Sequence, residues 1–488
     1  MKKLTALLLA LLMLCTALVS CKKDGDGQQS GDAAATEVGD LEMLGLPTDI
    51  DMGGKEIVLY NQPWQGYAPL NIVDLAPDNS EGTNIEVAAR QRILLVEEKL
   101  NCKVTVTVGE NKWGDGLAHL TNVFASGTDQ YAAVFIRAKQ YISLLASGYL
   151  KEIDEIPYLN LDKEWWDSDS LEALSISGHA GAICSDMTTN DDINQANIFF
   201  NKQMIQDNRL ESPYELVDSG KWTLEKMYSM AKVVASHPDI AGNMPENGSD
   251  DIYGFGYIQD GSVALLNSMG VSVCAKNANG ETEYGLLASG VADRMQRLID
   301  ILKDTNTSIN FHARRKETAT VEETQTFLDG RELFCVGGFY YAQDMRKSPT
   351  EFGIVPMPKY NEDQAAYVTP TFGAALTISA VPYINNDLEN TGIFMEYFAY
   401  LGNQLLRPAL YDILLEGYLP RDVESLEMIT LICDSVIYDT GVIFNYGGVM
   451  DKLFTNYNEL RTTVASNVKL WERDVKNAIK DTVESFNK

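Results

Sequence analysis

Several chemistries are missing from this sequence of 488 residues. No G-x-S-x-G, phosphate-binding P-loop or H-E-x-x-H occurs, so the common signatures of serine hydrolases, P-loop nucleotide enzymes and zinc proteases are absent. Histidine is rare: His119, His179, His237 and His312 are the only four, and no two stand at metal-ligand spacing. The seven cysteines form no C-x-x-C and no Cys/His cluster, which argues against a zinc site or a disulfide framework. Positive charge is also short. Lys and Arg number 39 against 69 Asp and Glu, a net charge of −30, so extended contact with nucleic-acid phosphates or an anionic membrane face would be repulsive. We therefore expect no metal, no cofactor and no nucleic-acid partner.

What is present suffices for a large folded body. At 45 % hydrophobic and 22 % charged the chain can bury a real core, and its length favours two domains or one two-lobed body over a single small domain. The one long apolar run, Leu4 to Val19, follows Lys2 and Lys3 and is too short to span a bilayer; residues 1–20 read as a signal peptide. It ends Leu18-Val19-Ser20-Cys21, which resembles the lipobox of bacterial lipoproteins. That resemblance implies lipidation of Cys21 and removal of residues 1–20, which takes the net charge from −30 to −32. Residues 21–45, rich in Gly, Asp, Gln and Ser, read as a flexible tether. Cys102, Cys184, Cys274, Cys335 and Cys433 then remain, an odd number with apolar neighbours, and buried free thiols are the reading.

The first folded stretch alternates strand and helix. Glu56 to Tyr60 is apolar, Ile85, Ala89, Ile93, Val96 and Leu100 recur at helical spacing, and Val104, Val106 and Val108 alternate with threonines. Leu117 to Ala125 reads as helix, Tyr131 to Ile136 as strand and Tyr141 to Ser147 as helix. This β-α-β-α-β order predicts a mostly parallel sheet, whose ligands sit outside the carboxyl ends of the strands. Asn61, Gln62 and Trp64, Gly109 and Glu110, and Arg137 occupy those ends. Further on, Thr223 is a predicted N-cap for a helix carrying Leu224, Met227, Ala231 and Val234, with Trp222 as its packing anchor. Trp165 and Trp166 read as loop packing. Leu460, Val464, Val468, Trp471, Val475, Ile479 and Val483 mark a long amphipathic helix.

Three segments of the middle, Asn197-Ile198-Phe199-Phe200-Asn201-Lys202, Ser212-Pro213-Tyr214-Glu215-Leu216 and Lys221-Trp222-Thr223, carry a family likeness. With Ser147-Gly148-Tyr149-Leu150, Trp165-Trp166-Asp167, Phe327-Leu328-Asp329-Gly330 and Phe352-Gly353-Ile354-Val355-Pro356, in that order, the chain resembles the family 1 extracellular solute-binding proteins. These are carbohydrate-type receptors of ABC importers related to maltose-binding protein. The resemblance implies an α/β, periplasmic-binding-protein-like type II fold, with two lobes joined by a hinge and a ligand cleft between them. The expected lobes are 46–190 plus 372–420 and 191–371 plus 421–488, with crossings near Asp191 to Gln195, Thr371 to Ala374 and Leu419-Pro420.

It implies function as well. The expected protein is a lipid-anchored, monomeric receptor on the extracellular face of the bacterial cytoplasmic membrane. It captures a carbohydrate, an oligosaccharide, for ABC permease subunits and performs no catalysis. A Gly-Pro-Trp-x-Trp segment of the relatives aligns with Gly337-Gly338-Phe339-Tyr340-Tyr341, where the proline and both tryptophans are replaced. Sugars present C–H faces and a hydroxyl rim, so a carbohydrate cleft needs flat aromatics with polar donors and acceptors. Trp64, Arg137, Asp186, Asn194, Phe339, Tyr340, Tyr341 and Tyr446 are the expected ligand-binding residues. The alternatives are a surface lipoprotein that cleaves glycans with two carboxylates, which counting Asp and Glu does not exclude, and a glycan-adhesion module. The polar loop Asn243 to Asp251 departs from the calcium-loop spacing, which speaks against a structural calcium there.

Overall fold

A computed structural model describes residues 41–63, 74–77, 83–110, 115–236, 251–311, 324–345, 349–415, 423–453 and 463–485. In chain order its strands are β1 (Lys55–Asn61), β2 (Cys102–Val108), β3 (Ala133–Arg137), β4 (Ala196–Asn201), β5 (Tyr253–Tyr257), β6 (Cys274–Lys276) and β7 (Thr282–Tyr284). They continue with β8 (Ser308–Asn310), β9 (Glu332–Gly338), β10 (Phe352–Pro356), β11 (Thr369–Pro370), β12 (Thr377–Ala380) and β13 (Val436–Ile437). Two larger sheets define two α/β lobes. The first has the order β12-β3-β1-β2 and the second β10-β4-β9-β5-β8.

The predicted alternation is realised in the first lobe. Helices α1 (Asn84–Leu100), α2 (Asp115–Ala125) and α3 (Ala138–Ala146) connect or follow its three parallel strands. Thr83 and Glu86 close a capping box on α1, and Asn101 ends it in the left-handed conformation, so the chain turns at once into β2. Helix α3 starts three residues earlier than the apolar pattern predicts. Arg137 ends β3 and is at the same time the N-cap position of α3, so no loop separates them.

Trp165 and Trp166 are buried, and both indole N–H groups donate to Glu396 on helix α7 (Leu388–Leu401), described here with α4 (Ser168–Leu174), α5 (Asn190–Ile193) and α6 (Leu224–Val234). Their packing role is structural: they satisfy a buried carboxylate that would otherwise be costly. Trp222, fully buried, donates to the Pro356 carbonyl at 2.8 Å, and Thr223 accepts from the Lys226 amide to start α6 as predicted. After α7 the chain makes a π-helical turn, Gly402–Leu406, before helix α8 (Arg407–Leu415). A side chain at Gly402 would stand 1.7 Å from the Asp186 carbonyl, so this turn lies against the 186–190 segment only because residue 402 has none. The terminal helix α9 (Val464–Ser485) buries Val464, Val468, Trp471, Val475 and Ile479, the spacing expected; Leu460 lies outside the described residues.

The five cysteines after Cys21 are free thiols, with Cys102, Cys184, Cys274 and Cys335 buried and Cys433 half-buried. Cys21, the signal segment and residues 21–40 of the expected tether lie outside the described residues, as do His237, His312, Asn243 to Asp250 and Leu419-Pro420. The last part of the expected tether is folded instead: Leu41–Leu44 forms a 3-10 turn whose Leu41 and Leu44 are buried in the core of the first lobe, because these leucines have apolar surface to bury that the Gly/Asp/Gln stretch before them lacks. Among the described residues no helix is long and apolar enough to cross a membrane, and no group of acidic, His or Cys side chains could hold a metal ion.

Candidate functional site

The two sheets meet end to end. In the first lobe β1, β2 and β3 run parallel and finish at Asn61, Val108 and Arg137. In the second, β5, β8 and β9 run parallel and β10 shares their sense, because β9 and β10 are both antiparallel to β4. Two short crossings pass between the lobes at these ends. One leaves α5 and enters β4, whose first residue Ala196 pairs with Gly338 at the end of β9; the other enters β12, whose first residue Thr377 pairs with Arg137. The crossings are tied to each other by the Gln195 and Thr371 bridge and by the Phe372 amide donating to the Asn194 carbonyl. Carboxyl edges of open α/β sheets are where ligands bind, and here two such edges converge on one place.

A row of polar groups runs along that junction. Gln62, one residue beyond β1, has its amide N–H bonded to the Phe135 carbonyl, and Arg137 donates through Nη2 to the Pro63 carbonyl at 3.1 Å. Thr377, beside Arg137, donates its backbone N–H to Asn190 Oδ1 at 2.6 Å; Asn194 Nδ2 then donates to the Asn190 carbonyl. Phe372 follows, its ring 5.7 Å from that of Tyr340, which meets Tyr341 edge-on at 4.6 Å. Gln62, Arg137, Asn194 and Tyr340 thus form a continuous line from one lobe to the other.

Some of these groups have hydrogen-bonding capacity that the protein leaves unused. Gln62 is fully buried, yet neither atom of its side-chain amide has a protein partner, and the same holds for Asn194 Oδ1, Gln195 Oε1 and Asn197 Oδ1. Gly116, at the start of α2, leaves the room: a methyl group there would stand 2.3 Å from the Gln62 amide carbon. A buried amide without partners costs free energy, and at Gln62 both atoms of the amide are in that state.

Of the expected residues, the aromatics of 339–341 are buried at this edge and Asp186 stands off the row. Phe339, Tyr340 and Tyr341 are all buried, with relative exposures between 1 % and 3 %. Tyr341 lies over Gly337 and Tyr340 over Gly338, where added side chains would stand 2.1 and 2.7 Å from the rings, so the glycine pair seats the aromatics at the edge of the sheet. Asp186 lies behind the crossing, accepting from Asn403 at 2.7 Å and facing Arg407 at 3.8 Å. Tyr446 is buried edge-on to Phe444, which stacks on Tyr141 of α3 at 6.0 Å and so joins an aromatic contact between the lobes. Trp64 lies outside the described residues.

Burial dominates the electrostatics. It pushes the Asp186 carboxyl up to about 7 despite Arg407, and that of Asp74 up to about 6 despite two bonds from Thr189 and the nearby Arg92. Asp191 and Asp192 are raised by burial too, and burial brings Arg137 down to about 10. The folded chain therefore holds more protons than the unfolded one between about pH 4 and 7, and each such carboxyl adds stability on acidification through that window. Exposed carboxylates held down by cations, such as Glu472 beside Lys469 and Lys476, give stability back only near or below pH 4. Urea melts are expected to show a higher stability at pH 5 than at pH 7.5. A lower value at pH 5 would mean that these carboxyls are ionised and paired throughout.

The architecture is the two-lobed, periplasmic-binding-protein-like fold. Solved structures bear this out. The chain is similar to an ABC substrate-binding protein from Listeria monocytogenes in complex with cycloalternan, at 13 % identity and a TM-score of 0.56, over 88 % of this chain and 99 % of that one. It is similar to the GacH receptor of Streptomyces glaucescens, solved unliganded and with acarbose, at 14 % identity and a TM-score of 0.57, over 88 % and 99 %. The UgpB protein of Mycobacterium tuberculosis in complex with glycerophosphocholine matches at 12 % identity and a TM-score of 0.56, over 86 % and 98 %. The first of these is a substrate-binding protein and the second a receptor. No protein-family model and no curated protein sequence matches the chain.

Proposed function

We propose that this protein is an extracellular solute-binding receptor that captures a carbohydrate, an oligosaccharide, between its lobes and delivers it to an ABC importer without chemical change. In this reading Cys21 carries the lipid anchor, the body is a monomer on the outer face of the cytoplasmic membrane, and the lobes comprise 46–190 plus 372–420 and 191–371 plus 421–488. The observation that supports it is the set of buried carboxamides at the meeting carboxyl edges: both amide atoms of Gln62 and the side-chain oxygens of Asn194, Gln195 and Asn197 have no protein partner, a hydrogen-bonding capacity that hydroxyl groups could use. The similar structures hold cycloalternan, acarbose and glycerophosphocholine, all polyhydroxyl or polar solutes.

A thermal-shift screen against mono- and oligosaccharides, with thin-layer analysis of every mixture, tests it. A ligand at about 100 times its dissociation constant adds roughly 2.7 kcal/mol to the folded state. A shift with the sugar intact supports the receptor. Cleavage replaces it with the enzyme, and silence across all sugars removes carbohydrate as the substrate class.

A further inference from the structure

Beside the crossings, one short helix of the first lobe is held at both ends by the second; Ile437, next to Tyr438, accepts from the Thr371 amide of one crossing. Helix α4 belongs to the first lobe: Asp167 donates its amide to the Cys184 carbonyl, Ser170 Oγ accepts from the Cys184 amide, and Ile183 bridges to Ser379 of β12. Asp167 caps α4 by accepting from the Ser170 amide with Oδ1, and its other oxygen accepts from the Tyr438 hydroxyl at 2.6 Å. At the far end of α4 the Ser175 carbonyl accepts from Lys276 Nζ. Tyr438 follows β13 and Lys276 ends β6, so both donors come from the second lobe.

Those two donors form one block. Asp439, next to Tyr438, is buried and accepts from the Val273 amide at 2.6 Å, the Cys274 amide at 3.1 Å, the Gly441 amide at 2.8 Å and Asn267 Nδ2 at 2.8 Å. It fixes the 438–441 turn to the start of β6, two residues before Lys276. The spacing of Tyr438 and Lys276 is thereby preset to the length of α4.

We propose that Tyr438 and Lys276 form a clasp that holds the lobes together through α4 and sets how far the unliganded receptor stands open. The clasp uses protein groups only, so it acts with or without a solute, and it rests on the hinged reading above for its effect on affinity. Rotating the lobes apart about the crossings pivots near the Tyr438–Asp167 contact and separates Lys276 from Ser175 at the far end of α4. A ligand that needs the closed form binds with an apparent affinity scaled by the closed fraction.

The test compares the full protein with Tyr438→Phe, Lys276→Met and the double variant. Melts first establish that each is folded; Tyr438→Phe keeps the ring and removes only the hydroxyl. The expected result in the free protein is a larger radius of gyration by solution scattering and faster hydrogen exchange of the α4 amides, greatest in the double variant. With a solute found by the screen, the dissociation constant rises about tenfold, carried by faster release. Folded variants with an unchanged scattering profile and unchanged α4 exchange overturn the clasp. The scattering and exchange arms need no ligand, so failure of the carbohydrate screen leaves them decisive.

Discussion

Asp439→Ala is expected to lose about 4 kcal/mol of unfolding free energy, because three backbone N–H groups and the Asn267 amide lose their buried acceptor at once. A loss of that size is a large part of the 5–15 kcal/mol that holds a typical protein together. Burial raises the Asp439 carboxyl above its ordinary range while those four donors pull it back, which is the balance of a structural carboxylate. Asp439→Asn keeps one acceptor oxygen and is expected to recover about half of the loss. Urea denaturation measures both. A cost under about 1 kcal/mol for the alanine variant would mean that solvent or another group replaces the carboxylate.

The second large effect is on binding. Gln62→Met keeps the length of the side chain and removes its amide, so saccharide affinity is expected to fall ten- to a hundredfold, about 1.4 to 2.7 kcal/mol. The melting temperature of the free protein is expected to stay the same or rise, since neither amide atom has a protein partner to lose. Affinity unchanged with a lower melting temperature would make Gln62 a structural residue.

Much of the scaffold was readable because it rests on local periodicity. The helices around Ile85 to Leu100 and Val464 to Ile479 repeat apolar residues at three and four, and Thr223 sits before such a run with its cap bond made as expected. The start of α3 was misplaced because Ala138, Lys139 and Gln140 show no apolar face, while the structure joins them directly to β3. Tyr340 and Tyr341 could not be sorted from sequence, since an aromatic that stacks on sugar and one that packs on glycine are the same residue. The register adds that Gly337 and Gly338 lie beneath the two rings, a contact no spacing reveals.

Longer-range facts were out of reach. Glu396 receives both tryptophans from a site 230 residues earlier, and Tyr438 meets Asp167 across 271. Gln62 stood among the residues just past a strand, but its distinction lies in an unshared amide packed against Gly116, which no spacing reveals.

The central claim is that a solute is captured intact at the junction of the two carboxyl edges. Calorimetric titration of the wild type and of Gln62→Met with the saccharide giving the largest thermal shift, followed by chromatography of the sugar, tests it most directly. One site per chain, a clear loss of affinity in the variant and unchanged sugar are expected. Cleaved sugar, or equal binding by both proteins, would contradict it.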